Sequence, residues 1–426
     1  MAKDLIVLCD GTGNAPEVNF VTNVQILREL LGIGVSRSRI KYSNFVEGWE
    51  IDHDTLPNKT RLVYYDRGLG APKLDSDGEL LEWSWKPRSF FKNAQVIYNK
   101  FKSAHSQVTA NGIIDNVAQA YYFLVNNYEP GDKIFLFGFS RGAYTLRLLV
   151  TMIRYIGLLD KKHFDTDAAV KQAIEDGFKL YNMNVHPDAN PQVKEFSSKC
   201  YAESNLIHFL GLWDTVRGLV EEEVHNDAKL SSIVEIARHA ISIDEQRKIF
   251  KPELWIASED TDSVQMWFAG VHCDIGGGYP DRGLSNISLQ WMINEANKFG
   301  LQLDPQSLID AQLISNPLAM QHDSLHAKIQ DNLDLTWEFL GSYRRPIMQM
   351  TNTERLHSSV LERYGKTVKN GSDNIVYQPP ILSHEFVAYN NFKQIAGFTE
   401  ILAKLYVPEA DALDDVGETT SLIPKP

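Results

Sequence analysis

The stretch "KIFLFGFSRGAYTLRLL", residues 133–149, joins an apolar, strand-like run directly to a helical pattern. Ser140 stands at the joint, with Gly138 two residues before it and Gly142 two residues after it, so the pentapeptide reads G-x-S-x-G. A strand that turns this sharply into a helix holds the serine in a crowded backbone conformation, which flanking glycines relieve. The pattern predicts a nucleophile elbow with an exposed serine hydroxyl. An ordinary turn serine is the alternative.

A serine hydroxyl becomes nucleophilic only beside a base, and the base needs a carboxylate that orients it. In folds with this elbow the chain order is serine, then an acid, then histidine. "FLGLWDTV" places Asp214 directly after an apolar run, and "MWFAGVHCDIGGGYPD" places His272 after another. The carboxyl ends of parallel strands share one edge of a sheet, so we predict that Asp214 and His272 meet Ser140 there.

Other residues could take these two roles, and the sequence leaves them open. Asp274 is too close to His272 along the chain to be the first choice as the acid, but we expect it to line the site. The alternative bases and acids are His239, Asp244 and Glu245 in "HAISIDEQRK", His357 in "RLHSSV" and His384 in "LSHEF". A single histidine is more often structural than catalytic, and His272 is preferred because it follows a strand-like run.

An ester hydrolase also needs two backbone N–H donors for the oxyanion that forms during acyl transfer. Arg141, the residue after the nucleophile, should supply one, because the first N–H groups of a helix have no partner inside the helix. The second donor is expected from the loop "CDGTGN", at Gly11 or Thr12. A glycine-rich turn capped by Asp10 is the alternative interpretation of that loop.

Composition argues against several other classes of function. The net charge of −13 argues against a nucleic-acid partner, since such binding depends on clustered lysine and arginine. Three scattered cysteines predict neither a disulfide framework nor a paired zinc site. His272 and Asp274 alone are too few for a catalytic zinc, and no cofactor is predicted. A phosphatase with an aspartate nucleophile is disfavoured because Leu8 occupies the required position in "LCDGT".

Strand-like runs alternate with helical patterns, which predicts a mostly parallel sheet covered by helices on both faces. With the elbow, this indicates the α/β class and an α/β-hydrolase with cap insertions, as a single domain over residues 1–426. Insertions are expected at about 71–111 and 160–200, a C-terminal cap or extension at about 303–410, and a mobile tail at 411–426. The N-terminus has no signal-peptide pattern, which predicts cytoplasmic synthesis and leaves export by a dedicated machine open.

Five motifs together resemble a family of α/β-hydrolase proteins that includes phospholipase effectors of bacterial type VI secretion. They are "LIVLCDGTGN", "LFGFSRGAYTLRLL", "GLWDTV", "HAISIDEQRKIFKPELW" and "WFAGVHCDIGGGY", within about residues 3–300. The resemblance implies Ser140 as nucleophile, Asp214 as acid and His272 as base, with the site lined by Asp10, Gly11 and Thr12. It also implies a phospholipid substrate and a secretion-machine or immunity-protein partner.

One segment bears on the substrate. "LLEWSWKPRSFF" sets Trp83, Trp85, Phe90 and Phe91 beside basic residues, a composition that suits a membrane–water interface. The alternative is a cap segment whose aromatic side chains pack on the core, and one segment could do both as a lid. We therefore predict a serine ester hydrolase that forms an acyl-enzyme, with phospholipase A1 or A2 specificity. The alternatives are a soluble carboxylesterase or thioesterase and a non-catalytic binding module on the same scaffold.

Overall fold

The computed structural model describes residues 2–11, 21–33, 37–41, 47–51, 60–68, 113–182, 190–202, 206–218, 229–303, 305–330, 333–345, 353–380, 382 and 406–407. The strands are β1 (Asp4–Cys9), β2 (Arg37–Lys41), β3 (Glu47–Ile51), β4 (Arg61–Asp66), β5 (Lys133–Phe139), β6 (Ile207–Trp213), β7 (Val234–Ser242), β8 (Asp262–Phe268), β9 (Lys328–Gln330), β10 (Leu333–Thr336), β11 (Glu354–His357), β12 (Thr367–Asn370), β13 (Asp373–Val376) and β14 (Tyr406–Val407).

The helices flank these strands in chain order. They are α1 (Asn23–Arg28), α2 (113–127), α3 (Ser140–Ile156), α4 (Asp167–Asn182), α5 (Pro191–Ser197), α6 (His272–Gly276), α7 (Ser285–Lys298), α8 (Pro305–Asp310) and α9 (Ser358–Arg363). Within the described residues, no helix combines the length and the apolar character of a membrane span.

Among the described residues, ten strands form the main sheet, in the order β14-β11-β8-β7-β6-β5-β1-β4-β3-β2. The pairings from β14 to β4 are parallel, and β3 and β2 add antiparallel strands at one edge. Parallel strands with helices on both faces read as nearly continuous apolar runs, as "KIFLFGF" in β5 does. The mostly parallel sheet confirms the predicted α/β class and the α/β-hydrolase type of fold.

The two faces of the sheet bury separate apolar clusters. Along β1, Leu5, Val7 and Cys9 pack on the side of α2 and α3. Ile6 and Leu8 point the other way, toward the cluster that contains residues of α1 and α7. Because side chains alternate along a strand, one apolar strand contributes to both clusters. Full burial of a large apolar side chain stabilises a fold by about 1.5–3 kcal/mol. The central strands β1, β5, β6 and β7 are buried along most of their length.

Two of the regions predicted to interrupt this pattern contain regular structure among the described residues. Residues 160–200 contain α4 and α5, which pack against α3. Beyond α8, β11 pairs in parallel with β8 and so extends the main sheet, although the sequence shows no strong strand signal there. Its four residues are too few to show a clear periodicity. The proposed insertion at 71–111 and the tail at 411–426 lie outside the described residues.

Candidate active site

The turn from β5 into α3 contains no loop, since β5 ends at Phe139 and α3 begins at Ser140. Ser140 has φ +56°, in the left-handed region that residues with a side chain rarely occupy. A Cβ atom on residue 142 would lie 2.2 Å from the Cys9 carbonyl oxygen, and one on residue 138 would lie 2.8 Å from the Ala143 Cα. Both glycines of G-x-S-x-G are therefore required by close backbone packing at the elbow.

Three side chains from three strand ends form a continuous hydrogen-bond chain. Ser140 Oγ lies 2.8 Å from His272 Nε2, and His272 Nδ1 lies 2.6 Å from Asp214 Oδ2. Because an ionised carboxylate can only accept a hydrogen bond, we assign the imidazole proton to Nδ1, which donates it to Asp214. Nε2 is then the acceptor for the serine hydroxyl. The residue exposures are 6%, 3% and 0% in the order serine, histidine, aspartate, so the serine that was predicted to present an exposed hydroxyl is buried, and the three hydrogen-bonded side chains are shielded from water.

Asp214 follows β6 with φ +37° and is held by several donors. The Ser242 N–H donates to its Oδ1 at 2.9 Å, and the guanidinium of Arg345 contacts both carboxylate oxygens at 2.5 and 3.0 Å. Burial opposes ionisation, but Arg345 and His272 together hold the pKa of Asp214 well below its usual range. The carboxylate is therefore ionised and fixed in orientation.

His272 is the first residue of α6, after β8, and its ring lies between two aromatic side chains. The Phe139 and Phe250 ring centroids lie 4.7 and 4.8 Å from the imidazole centroid. Burial lowers the pKa of His272, and the hydrogen bond to Asp214 opposes this shift only in part. The imidazole is neutral at neutral pH, as a general base must be before the reaction.

Glu245 supports His272 from the backbone side. Its Oε2 accepts the His272 N–H at 3.2 Å and an Arg247 Nη2 hydrogen bond at 2.8 Å, and the Ser324 hydroxyl donates to both of its oxygens. Burial raises the pKa of Glu245, but Arg247 overcomes this and the pKa falls to about 2. Glu245 was a candidate acid in the sequence, and the structure instead places it behind the histidine backbone.

The two predicted oxyanion donors lie on different elements, one at the start of α3 and the other after the end of β1. Arg141 is the second residue of α3, where a backbone N–H has no intrahelical acceptor, and Phe139 at the N-cap has no polar side chain to cap it. The Gly11 N–H donates to Asp10 Oδ1 at 2.7 Å. Thr12 lies outside the described residues.

The Asp10 carboxyl group is fully buried and also accepts hydrogen bonds from the Thr22 and Tyr65 hydroxyls. Burial raises its pKa to about 7, and its three hydrogen bonds oppose the shift.

Asp274 makes contacts of a different kind from those of Asp214. Asp274 Oδ2 accepts a hydrogen bond from the Val271 N–H at 3.0 Å, at the start of α6. Asp274 Oδ1 is hydrogen-bonded to His322 Nδ1 at 2.6 Å. The His322 ring stacks on Tyr279 with centroids 3.7 Å apart. Asp274 thus ties the helix that carries His272 to a loop of the C-terminal region. Sequence reasoning gave no signal for His322.

The alternative bases lie in other surroundings. His239 in β7 is fully buried and accepts the Thr215 N–H, and burial lowers its pKa to about 3. His357 caps α9 and accepts the Ser359 N–H. His384 and the four aromatic residues at 83, 85, 90 and 91 lie outside the described residues. No group of three or more potential metal-ligating side chains is found in the part of the chain that the structure describes.

A protein-family model described as "T6SS, Phospholipase effector Tle1-like, catalytic domain" matches residues 3–295, well over half of the chain. The chain belongs to this family. Ser140, Asp214 and His272 all fall inside the matched residues, whereas Arg345, His322 and Ser324 lie beyond its end. The predicted family resemblance is therefore confirmed.

Similar proteins include one curated relative and two solved structures. An uncharacterised protein of Saccharomyces cerevisiae is 27% identical over 260 residues, and the alignment covers 58% of this chain and 32% of the relative. The chain thus spans about a third of that relative's length. A crystal structure of an uncharacterised Pseudomonas aeruginosa protein matches with 17% identity, 74% and 49% coverage of this and that chain, and a TM-score of 0.38. The Tle1 effector bound to the VgrG spike of the type VI secretion system matches with 14% identity, 75% and 77% coverage, and a TM-score of 0.35.

Proposed function

We propose that the protein is a serine ester hydrolase that cleaves acyl esters of phospholipids through an acyl-enzyme. The observation that carries the proposal is the buried chain of hydrogen bonds from Ser140 Oγ through His272 to Asp214. This geometry is the one by which an imidazole activates a serine hydroxyl. Membership of a phospholipase effector family supports the choice of a phospholipid substrate.

The reaction follows from the positions of these atoms. His272 Nε2 takes the proton of Ser140 as Oγ attacks the ester carbonyl carbon, and Asp214 stabilises the imidazolium that forms. The imidazolium then gives its proton to the leaving alcohol oxygen as the ester C–O bond breaks. The same nitrogen takes a proton from water as the water oxygen attacks the acyl-serine carbonyl carbon. The imidazolium then returns this proton to Ser140 Oγ as the acyl C–Oγ bond breaks and the carboxylic acid leaves. The atoms balance without a metal or redox partner.

The oxyanion of the tetrahedral intermediate needs two donors near the carbonyl oxygen. We assign one to the Arg141 N–H at the uncapped start of α3. We assign the second to the Gly11–Thr12 loop, where the Gly11 N–H would exchange the Asp10 carboxylate for the substrate oxygen. A protonated Asp10 is a weaker acceptor than an ionised one, and its pKa of about 7 makes this exchange less costly near neutral pH.

Labelling with a fluorophosphonate probe and hydrolysis of two substrates test the proposal. Ser140→Ala should lose labelling and should lower turnover of a soluble short-chain ester by about 10⁴ to 10⁶-fold. Ser198→Ala, at an exposed serine, is the matched control and should keep both. Failure of the wild-type protein to label would favour a binding module, and substantial turnover by Ser140→Ala would reject the nucleophile.

The second substrate separates the classes of esterase. Release of fatty acid from phospholipid vesicles should exceed hydrolysis of the soluble ester if the protein is a phospholipase. The reverse preference would favour a carboxylesterase or thioesterase. We further propose, from the family's description as type VI secretion effectors, that a type VI secretion machine exports the protein. From the sequence resemblance we also propose that an immunity protein restrains it in the producing cell. Loss of its release into the medium on deletion of the secretion machine would test the export.

A further inference from the structure

We propose that Arg345 is a positioning residue for the triad acid, supplied by a C-terminal segment that lies beyond the family match. This inference rests on the proposed function, because it gives Arg345 a role in the same hydrolysis. Arg345 does not touch the reacting atoms, and it acts through Asp214.

The guanidinium of Arg345 is engaged on both of its terminal nitrogens. Nη1 donates to Asp214 Oδ1 at 2.5 Å and to the Ser242 carbonyl oxygen at 3.0 Å. Nη2 donates to Asp214 Oδ2 at 3.0 Å and to the Phe250 carbonyl oxygen at 2.7 Å. Both charged side chains are fully buried. A bidentate (two-point) arginine–carboxylate pair fixes the plane of the carboxylate. It therefore fixes the orientation of the Asp214 oxygen that binds His272 Nδ1.

Backbone pairing delivers Arg345 to this position. The Lys248 N–H donates to the Gly341 carbonyl at 3.0 Å, and the Tyr343 N–H donates to the Gln246 carbonyl at 2.7 Å. Trp337 packs edge-on against Phe250, and the Phe250 ring also contacts the His272 ring. Residues 337–345 therefore lie alongside residues 246–250. Arg345, at the C-terminal end of the first segment, extends into the site.

Two more contacts show that the same region holds the base. His322 binds Asp274, two residues after His272, and Ser324 binds Glu245, which accepts the His272 backbone N–H. The His322–Asp274, Ser324–Glu245 and Arg345–Asp214 contacts each join a residue beyond residue 295, where the family match ends, to a residue inside the match. The C-terminal region therefore holds both the acid and the backbone of the base.

Electrostatics give Arg345 an effect that packing alone would not give. A positive charge beside Asp214 keeps the carboxylate ionised, but it also disfavours the imidazolium form of the neighbouring His272. Removal of the charge should therefore raise the pH at which His272 becomes deprotonated. Among the described residues, Glu245, Arg247, His239 and Cys273 are other titratable or charged side chains that interact with the pair, and they are unchanged in the variants below.

The test measures kcat and kcat/KM for hydrolysis of p-nitrophenyl butyrate as a function of pH. The variants are Arg345→Met, Arg345→Gln and Arg345→Lys. Arg345→Met should lower kcat by about 10²-fold, as misplacement of a catalytic group does, and move the acid limb up by about one pH unit. Arg345→Gln should show the same upward shift. Arg345→Lys keeps the charge but not the two-point contact, so its acid limb should stay in place while kcat falls by about 10-fold.

Arg363→Met is the matched control, because Arg363 is also buried but donates to the Pro317 and Ala319 carbonyl oxygens and not to a triad residue. It should lower Tm and leave the acid limb unmoved. A folded Arg345→Met or Arg345→Gln protein with the wild-type limb and kcat would overturn the inference. If neither folds, an Arg345→Lys protein with wild-type kcat would overturn it. Wild-type protein that fails to label with fluorophosphonate would instead reject the proposed function.

Discussion

Gly142 on α3 and Cys9 on β1 approach so closely that a Cβ atom on residue 142 would lie 2.2 Å from the Cys9 carbonyl oxygen and 2.5 Å from that of Asp10. The second glycine of the elbow therefore does more than relieve the turn at Ser140. It lets the start of α3 rest against the end of β1, which places the Asp10–Gly11 loop beside the nucleophile.

Gly142→Ala should destabilise the protein by about 3 kcal/mol or more, because the contact is with backbone atoms that cannot rotate away. Urea unfolding would measure the change, and fluorophosphonate labelling should fall in the same variant. Gly365→Asn is a suitable control, since nothing lies within 4 Å of that position and asparagine tolerates its positive φ. Wild-type stability and labelling in Gly142→Ala would contradict the packing argument.

His272→Ala should lose activity, whereas His357→Ala should lose stability and keep activity. His272→Ala removes the base and should abolish probe labelling. His357→Ala removes the cap of α9 and a ring stacked on Phe268, so it should cost about 2 kcal/mol of stability while labelling persists. Labelling at saturating probe, with thermal unfolding in parallel, separates the two effects. Loss of labelling in a folded His357→Ala protein would revive His357 as the base.

The pH dependence of activity should reflect the lowered pKa of His272. The base works only when neutral, so a pKa below the ordinary histidine value of 6.5 extends activity toward acid pH. We expect the acid limb of kcat/KM on a soluble ester to have its midpoint below pH 6.5. Asp10→Asn should be measured alongside, because Asp10 titrates near pH 7 close to the same site. A limb above pH 7 that persists in Asp10→Asn would contradict the assignment.

Asp10 should make stability depend on pH. Its unfolded carboxyl titrates near 3.8 and its folded carboxyl near 7, so the folded state binds the extra proton between these values. Its contribution to stability is therefore fully present below about pH 4 and is lost as pH rises to about 7. Relative to wild type, Asp10→Asn should gain stability over that window, by up to a few kcal/mol. Urea unfolding at several pH values measures this, with the exposed Asp165→Asn as control.

The aromatic segment should determine binding to membranes. Replacement of Trp83, Trp85, Phe90 and Phe91 by serine should abolish binding to phospholipid vesicles and spare hydrolysis of a soluble ester. Sedimentation with vesicles would measure binding. The double variant Ile309→Ser/Ile314→Ser, at two exposed apolar residues in the C-terminal region, is the matched control. Unchanged vesicle binding in the fourfold variant would show that the segment packs as a cap only.

The sequence was sufficient for the central strands and for the residues that meet at their ends. "KIFLFGFS", "FLGLWDTV" and "MWFAGVHCD" are largely buried runs that lead into a polar residue. β5 and β6 end one residue before Ser140 and Asp214, and β8 ends four residues before His272. Parallel pairing then brings those ends to one edge. This part of the site is predictable because periodicity and chain order fix it locally.

The contacts of the C-terminal region could not be predicted in this way. Arg345 lies in an irregular segment, and its burial depends on backbone pairing with residues about a hundred positions earlier. A local pattern contains no information about such a contact. The hydrogen bond from Gly11 to Asp10 was also missed, because a sequence does not show whether a loop N–H is free or paired.

The linear order of the catalytic groups affects how the protein is made. Translation proceeds from the N-terminus, so the elbow serine leaves the ribosome long before His272, and Arg345 follows later still. For about a third of its synthesis, between residues 140 and 272, the growing polypeptide thus carries a serine without its base. Under the proposed function, the lipids of the producing cell are exposed to hydrolysis only after His272, nearly two thirds of the way along the chain, has emerged.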